Sequence, residues 1–103
     1  MDRIAKLIEL IGSNPDDSFL QHALALELIK MGDELPARQL FETILQREPG
    51  YIGSYYHLAK LLERINETDE AVIWYEKGME EAKKAGDMHS LSELKSAYEE
   101  LIF

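Results

Sequence analysis

Apolar residues recur at intervals of three and four along nearly the whole chain, in segments of about 10 to 18 residues. This is the spacing of one face of an amphipathic helix. The first segment carries Ile4, Leu7, Ile8 and Ile11, and the second Leu20, Leu24, Leu28 and Met31. The third carries Ala37, Leu40, Phe41, Ile44 and Leu45, and the fourth Tyr55, Leu58, Leu61, Leu62 and Ile65. Ala71, Tyr75, Met79 and Ala82 mark the fifth, and Met88, Leu91, Leu94, Tyr98 and Leu101 the sixth. Turn signals separate them at Gly12-Ser13-Asn14-Pro15, Gly32-Asp33, Pro49-Gly50, Asn66-Glu67 and Gly86-Asp87. No segment alternates with period two for long enough to make a strand. The helix ends agree. Asp16 and Asp17 precede the second segment, Pro36 lies in the first turn of the third, and Thr68 and Asp69 open the fifth. Lys83, Lys84 and then Gly86 close the fifth. The pattern predicts an all-α chain of six antiparallel helices joined by tight turns.

The chain also repeats itself with a period of 34 residues. Shifted by that amount, Pro15 meets Pro49, Leu24-Ala25 meets Leu58-Ala59, Leu28 meets Leu62, Ala37 meets Ala71 and Phe41 meets Tyr75. Small residues (Ala25, Ala59, Ala37, Ala71) let paired helices approach, and large ones (Leu24, Leu58, Phe41, Tyr75) fill the space beside them. A hairpin with one apolar face cannot bury it alone, so such units stack.

These positions resemble the tetratricopeptide repeat family. The resemblance rests on Leu24-Ala25, Leu28, Gly32-Asp33, Ala37, Phe41, Ile44 and Pro49, then on Tyr55, Leu58-Ala59, Leu62, Ala71, Tyr75 and Gly78. It implies a helical-hairpin solenoid in which residues 1–15 form a half repeat, 18–51 and 52–85 two full repeats, and 87–103 a capping helix. Three positions depart from the family's pattern. Gln21 replaces a large residue early in the first repeat, Asn66 replaces the turn glycine, and Lys83 replaces the closing proline, so the fifth helix is expected to run on to about Ala85.

In such arrays the first helix of each pair lines a concave groove that holds an extended or helical peptide of a partner. Carried over by position, the groove residues are Phe19, His22, Leu26, Ile29 and Lys30, then Gly53, Tyr56, Lys60, Glu63 and Arg64. Spacing lends its own support. Phe19, His22, Leu26 and Ile29 share a face distinct from that of Leu20, Leu24, Leu28 and Met31, so the second segment has two apolar stripes where contact with one core needs one. The second stripe either lies under a neighbouring helix of the same chain or meets a partner. A second copy is one such partner, because the half repeat leaves a flank of the second segment open and makes a homodimer through the first two segments the alternative expectation. A chaperone-type carboxylate clamp is not expected, since neither of its asparagines is present.

Composition narrows the function. Against 20 Asp plus Glu stand 11 Lys plus Arg, a formal charge of -9. That balance opposes nucleic acid and anionic membrane as partners. With no cysteine there is no disulfide scaffold, thiolate metal site or cysteine nucleophile. His22 and His57 lack a third ligand, so both are read as structural or surface histidines. Trp74 reads as a half-buried outer residue beside core Tyr75, and Glu76, Glu80 and Glu81 as a solvated acidic side of the fifth segment. Neither a phosphate loop nor a nucleophile motif is present, so no catalysis and no cofactor are expected. The amphipathic start at Met1-Asp2-Arg3 resembles no signal peptide, and no apolar run is long enough to span a bilayer, which together suggest a cytoplasmic protein.

Overall fold

A computed structural model describes residues 2–103. It contains α1 (Arg3–Ser13), α2 (Ser18–Lys30), α3 (Glu34–Arg47), α4 (Gly53–Arg64), α5 (Thr68–Ala85) and α6 (Met88–Ile102), with no strand among the described residues. Each helix packs on its neighbours in sequence, and α2 also touches α4. The result is a right-through stack of antiparallel helices.

Local chemistry sets the boundaries. Asp2, Asp17 and Asp87 cap α1, α2 and α6, each accepting a backbone N–H with its carboxylate, from Ile4, Leu20 and Ser90, at 3.0 Å. The turn after α2 places Gly32 at φ +83°, and the turn after α4 places Asn66 at φ +64°. The two residues stand 34 positions apart, so the repeat reuses one left-handed turn, and Asn carries it at modest cost. α5 runs to Ala85 and ends on the left-handed Gly86, as the missing proline predicts.

The core joins all of the middle helices. Ala25, Ala37, Phe41, Ile44, Leu58, Ala59, Leu61, Leu62, Ala71, Tyr75 and Ala82 are fully buried, and Leu94 and Ala97 extend the cluster into α6. The small-residue positions of the repeat are thus the close contacts between helices. α1 differs. Leu7 is buried, but Ile8 of the predicted apolar stripe is 56% exposed.

Gln21 is a departure with a structural answer. It is buried, and its Nε2 donates to the Pro15 carbonyl at 2.9 Å. In the next repeat the Tyr55 hydroxyl donates to the Pro49 carbonyl at 2.6 Å. Both pairs are related by the 34-residue shift, so the amide and the phenol perform one job, pinning the start of the repeat. Arg47 completes the arrangement, donating to Gln21 Oε1 and Ser18 Oγ at 2.8 Å, while Ser18 donates to Glu48 at 2.7 Å. A polar set replaces a large side chain, with its buried donors and acceptors paired.

Candidate peptide-binding groove

α2 and α4 lie side by side and present their outward faces to a shared cleft of about 500 Å³, which Arg3 of α1 and Glu27 also line. Phe19, His22, Leu26, Ile29 and Lys30 of α2 and Lys60 and Arg64 of α4 all line it. Leu26 and Ile29 are half-buried and pack against the core, whereas Phe19 is 70% exposed. The second apolar stripe of α2 is therefore covered in part within the chain and left open at its N-terminal end.

The other expected residues lie nearby. Tyr56 faces a second depression of about 380 Å³ between α4 and α6, with His89, Ser92, Glu93 and Ser96 on its far wall. Lys60 borders both depressions, its ammonium 5.9 Å from the centre of the Tyr56 ring. Gly53 borders a shallower space with Phe19, Tyr51 and Asp87. Glu63 accepts the Tyr75 hydroxyl and lies 3.8 Å from the Lys60 ammonium, so its carboxylate already has partners in the fold.

Cations ring the main cleft. Arg3 and Lys30 share Glu27 at 3.3 and 3.1 Å, and Arg64 meets Glu34 at 3.3 Å. The cations are exposed, but the Glu27 side chain they share is only 18% exposed, so the Arg64–Glu34 pair is the more weakly held. Arg64 can turn to a ligand carboxylate at little cost, whereas drawing both Arg3 and Lys30 away would leave the Glu27 carboxylate unpaired. Arg3 was not foreseen at this site. The repeat does mark it, because Arg3 occupies the place of Ala37 and Ala71, both fully buried in their hairpins.

Two histidines form the floor. The His22 ring lies 5.4 Å from that of His57 and edge-on to Phe41 at 5.5 Å, and His57 stacks on Phe41 at 6.3 Å. His22 Nδ1 is 2.8 Å from the hydroxyl of fully buried Ser54. Burial, with a smaller push from His57, lowers the His22 pKa to about 4. Burial also lowers that of His57, opposed by Glu93 and helped by Arg64. Among the described residues no three His, Asp or Glu converge as metal ligands. The imidazoles are neutral packing groups near pH 7, in keeping with the structural reading.

A pH dependence follows. The unfolded chain binds a proton at His22 near pH 6.5, and the folded one only near pH 4. Between those values the unfolded state holds more protons, so stability falls as pH falls through that window and is unaffected by His22 above it. With the ring's partial exposure allowed for, His22 accounts for about 1–2 kcal/mol of the loss. Urea melts of wild type and His22→Asn at pH 7.5 and 4.5 check this. The gap between the two pH values should narrow in the variant, and an unchanged gap refutes the assignment.

With the geometry in hand, comparison with known proteins decides the family. The tetratricopeptide repeat profile matches residues 28–94. A solution structure of a tetratricopeptide repeat domain protein from Salinibacter ruber is 41% identical, with a TM-score of 0.82 over 85% of this chain and 89% of that one. The chain belongs to the tetratricopeptide repeat family. Among more distant structures, the TPR2B domain of yeast Sti1, solved in a complex with pHsp70, has a TM-score of 0.88 at 16% identity, covering 95% of this chain and 78% of that one. A Bordetella parapertussis protein has a TM-score of 0.84 at 20% identity over 98% and 88% of the two chains. Among curated proteins none matches the chain. No helix among the described residues is long and apolar enough to cross a membrane.

Proposed function

We propose that this tetratricopeptide repeat domain is a non-catalytic protein–protein interaction module that holds a peptide segment of a partner in its concave groove. The observation that carries the reading is the cleft between α2 and α4. It gathers Phe19, His22, Leu26, Ile29, Lys30, Lys60 and Arg64, residues that position in the repeat had marked as groove-lining. A half-buried apolar floor with exposed cations at its edge suits a segment with apolar anchors and acidic neighbours. Tyr56, with Glu63 positioning Lys60 beside it, extends the surface toward α6. The Sti1 domain with its pHsp70 partner has the same fold and is consistent with such a use.

Peptides selected from a random phage-displayed library supply the test. A Leu26→Asp change should weaken binding of selected peptides by at least ~tenfold, and Tyr56→Ala by less, while circular dichroism shows both variants still folded at the assay temperature. Peptides that bind both variants as tightly as wild type would place the site elsewhere.

The second reading, a homodimer through the N-terminal helices, has one observation in its favour. Ile4 and Ile8 of α1 stand where Arg38 and Glu42 form an ion pair at 3.1 Å in α3. An apolar pair thus replaces a charged one on a face that α1 leaves open. Light scattering of wild type and Ile8→Glu checks it, since a dimer built on this face should dissociate in the variant.

A further inference from the structure

We infer that the open space at the starts of α2, α4 and α6 takes an arginine side chain of the segment bound in the groove, with Asp87 as its carboxylate partner. This deepens the groove reading above, on which it rests, by naming a residue that the bound segment carries.

Three equivalent places of the repeat make the site. Phe19, Gly53 and Asp87 stand 34 positions apart, each at the start of its helix. The middle one has no side chain. A Cβ there would meet nothing within 4 Å, and the gap is a space of about 530 Å³ bordered by Phe19, His22, Tyr51, Ile52 and Asp87. Phe19 and His22 also line the main cleft, so the two spaces are continuous.

The walls suit a long side chain with an apolar stem and a cationic head. Phe19, 70% exposed, and half-buried Ile52 face the stem. Asp87 meets the head. Among the described residues its carboxylate accepts from Ser90 alone, Oδ1 from the N–H at 3.0 Å and Oδ2 from the hydroxyl at 2.8 Å. Both bonds hold the carboxyl below its usual range, so it is charged at neutral pH. Each oxygen keeps a second lone pair, and two such acceptors match the fork of a guanidinium better than the single head of a lysine. No Lys or Arg among the described residues lines the space. Burial first, and then the charges of Glu48 and Asp17, raise the Tyr51 pKa, which marks a negative field at this wall. The helix ends do not reverse that sign. Asp17 and Asp87 cap α2 and α6, and the uncapped start of α4 carries only about half a unit of charge.

Position along α2 sets the spacing in the ligand. Phe19 and Leu26 are two turns apart, about 10 Å, which about three residues of extended chain span. The arginine therefore lies about two to four residues from the apolar anchor over Leu26.

The phage-selected peptides provide the experiment. Those chosen on wild type should carry an arginine at that distance from an apolar residue. Changing it to alanine should cost at least ~tenfold in affinity, and changing it to lysine at least ~threefold. Two variants locate the partner. Asp87→Asn removes the charge and keeps the cap, since asparagine caps as well as aspartate. Gly53→Leu fills the space without weakening the helix. On each variant the arginine and alanine peptides should bind within about twofold of one another, and on wild type their difference should shrink as salt rises.

Selected peptides that lack the arginine overturn the inference. So does an alanine loss that persists undiminished in both variants, and so does a lysine peptide that binds as tightly as the arginine one. In each of these cases peptides that still require Leu26 leave the groove reading standing. Peptides indifferent to Leu26, Asp87 and Gly53 alike, or a library that yields no binder, end both.

Discussion

Replacing Gly78 by alanine should destabilise the domain by about 1–2 kcal/mol, although alanine is the better helix former. A Cβ at this position in α5 would sit 2.7 Å from Cβ and 3.0 Å from Cγ of Tyr55, and 3.1 Å from Leu94 Cδ1. The first of these atoms is attached directly to the α4 backbone. The Tyr55 ring is held in turn by its hydroxyl bond to Pro49. The clash is relieved only if α4 and α5 move apart, and overpacking of this kind costs about 1–3 kcal/mol or more. A propensity gain of about 1 kcal/mol offsets part of the strain. For a chain of this size the net loss lowers the melting temperature by roughly 4–16 °C. Gly12→Ala is the matched control. It lies in α1 with nothing within 4 Å of a new Cβ, so it should gain up to about 1 kcal/mol. Thermal and urea melts by circular dichroism decide both. A Gly78→Ala protein within about 0.5 kcal/mol of wild type would show that the helices yield more easily than their packing suggests.

Positions governed by neighbours in sequence were the ones the sequence made legible. Six helices, the Asp17 cap, the Gly86 end of α5 and the left-handed turn at Asn66 depend on spacing and on residues a few places away, whereas the caps at Asp2 and Asp87 were not foreseen and α5 begins at Thr68 without a side-chain cap. The groove face of α2 was legible for the same reason, since Phe19, His22, Leu26 and Ile29 fall on one side of one helix. What escaped depends on partners supplied by the fold. Glu63 looked like a free groove carboxylate, yet it accepts from Tyr75 of α5. The repeat held the clue. In the preceding unit the two equivalent places are Ile29 and Phe41, so an apolar pair in one hairpin becomes a hydrogen-bonded pair in the next. Gln21 looked like a defect until Arg47, 26 positions away, was found to pair with it. Arg3 gave a signal that went unused, a cation where two fully buried alanines stand in the complete repeats. Comparing each unit with its sibling is thus informative beyond the family pattern, because a change at one position is matched by a change at its contact.

The largest loss should come from Phe41→Ala. Phe41 is fully buried where α2, α3 and α4 meet, under the two histidines of the groove floor. Truncating a buried phenylalanine costs about 3–5 kcal/mol, part from lost burial and part from the cavity left behind. Against a typical total of roughly 5–15 kcal/mol, that leaves a folded but marginal protein at room temperature. The variant also tests how the core tunes the site. Burial is the leading cause of the lowered His22 pKa, and it too lowers that of His57. A void beneath the rings admits water or lets them tilt toward solvent, and either relieves the cost of charging them. The His22 pKa should therefore rise from about 4 toward its ordinary value, and the loss of stability between pH 6.5 and 4 should shrink. Urea melts measure the first effect, and histidine NMR titration the second. A Phe41→Ala protein that loses stability as expected while His22 still titrates near pH 4 would separate the two. The histidines would then owe their neutrality to α4 and to each other, and the aromatic beneath them would serve only to fill space.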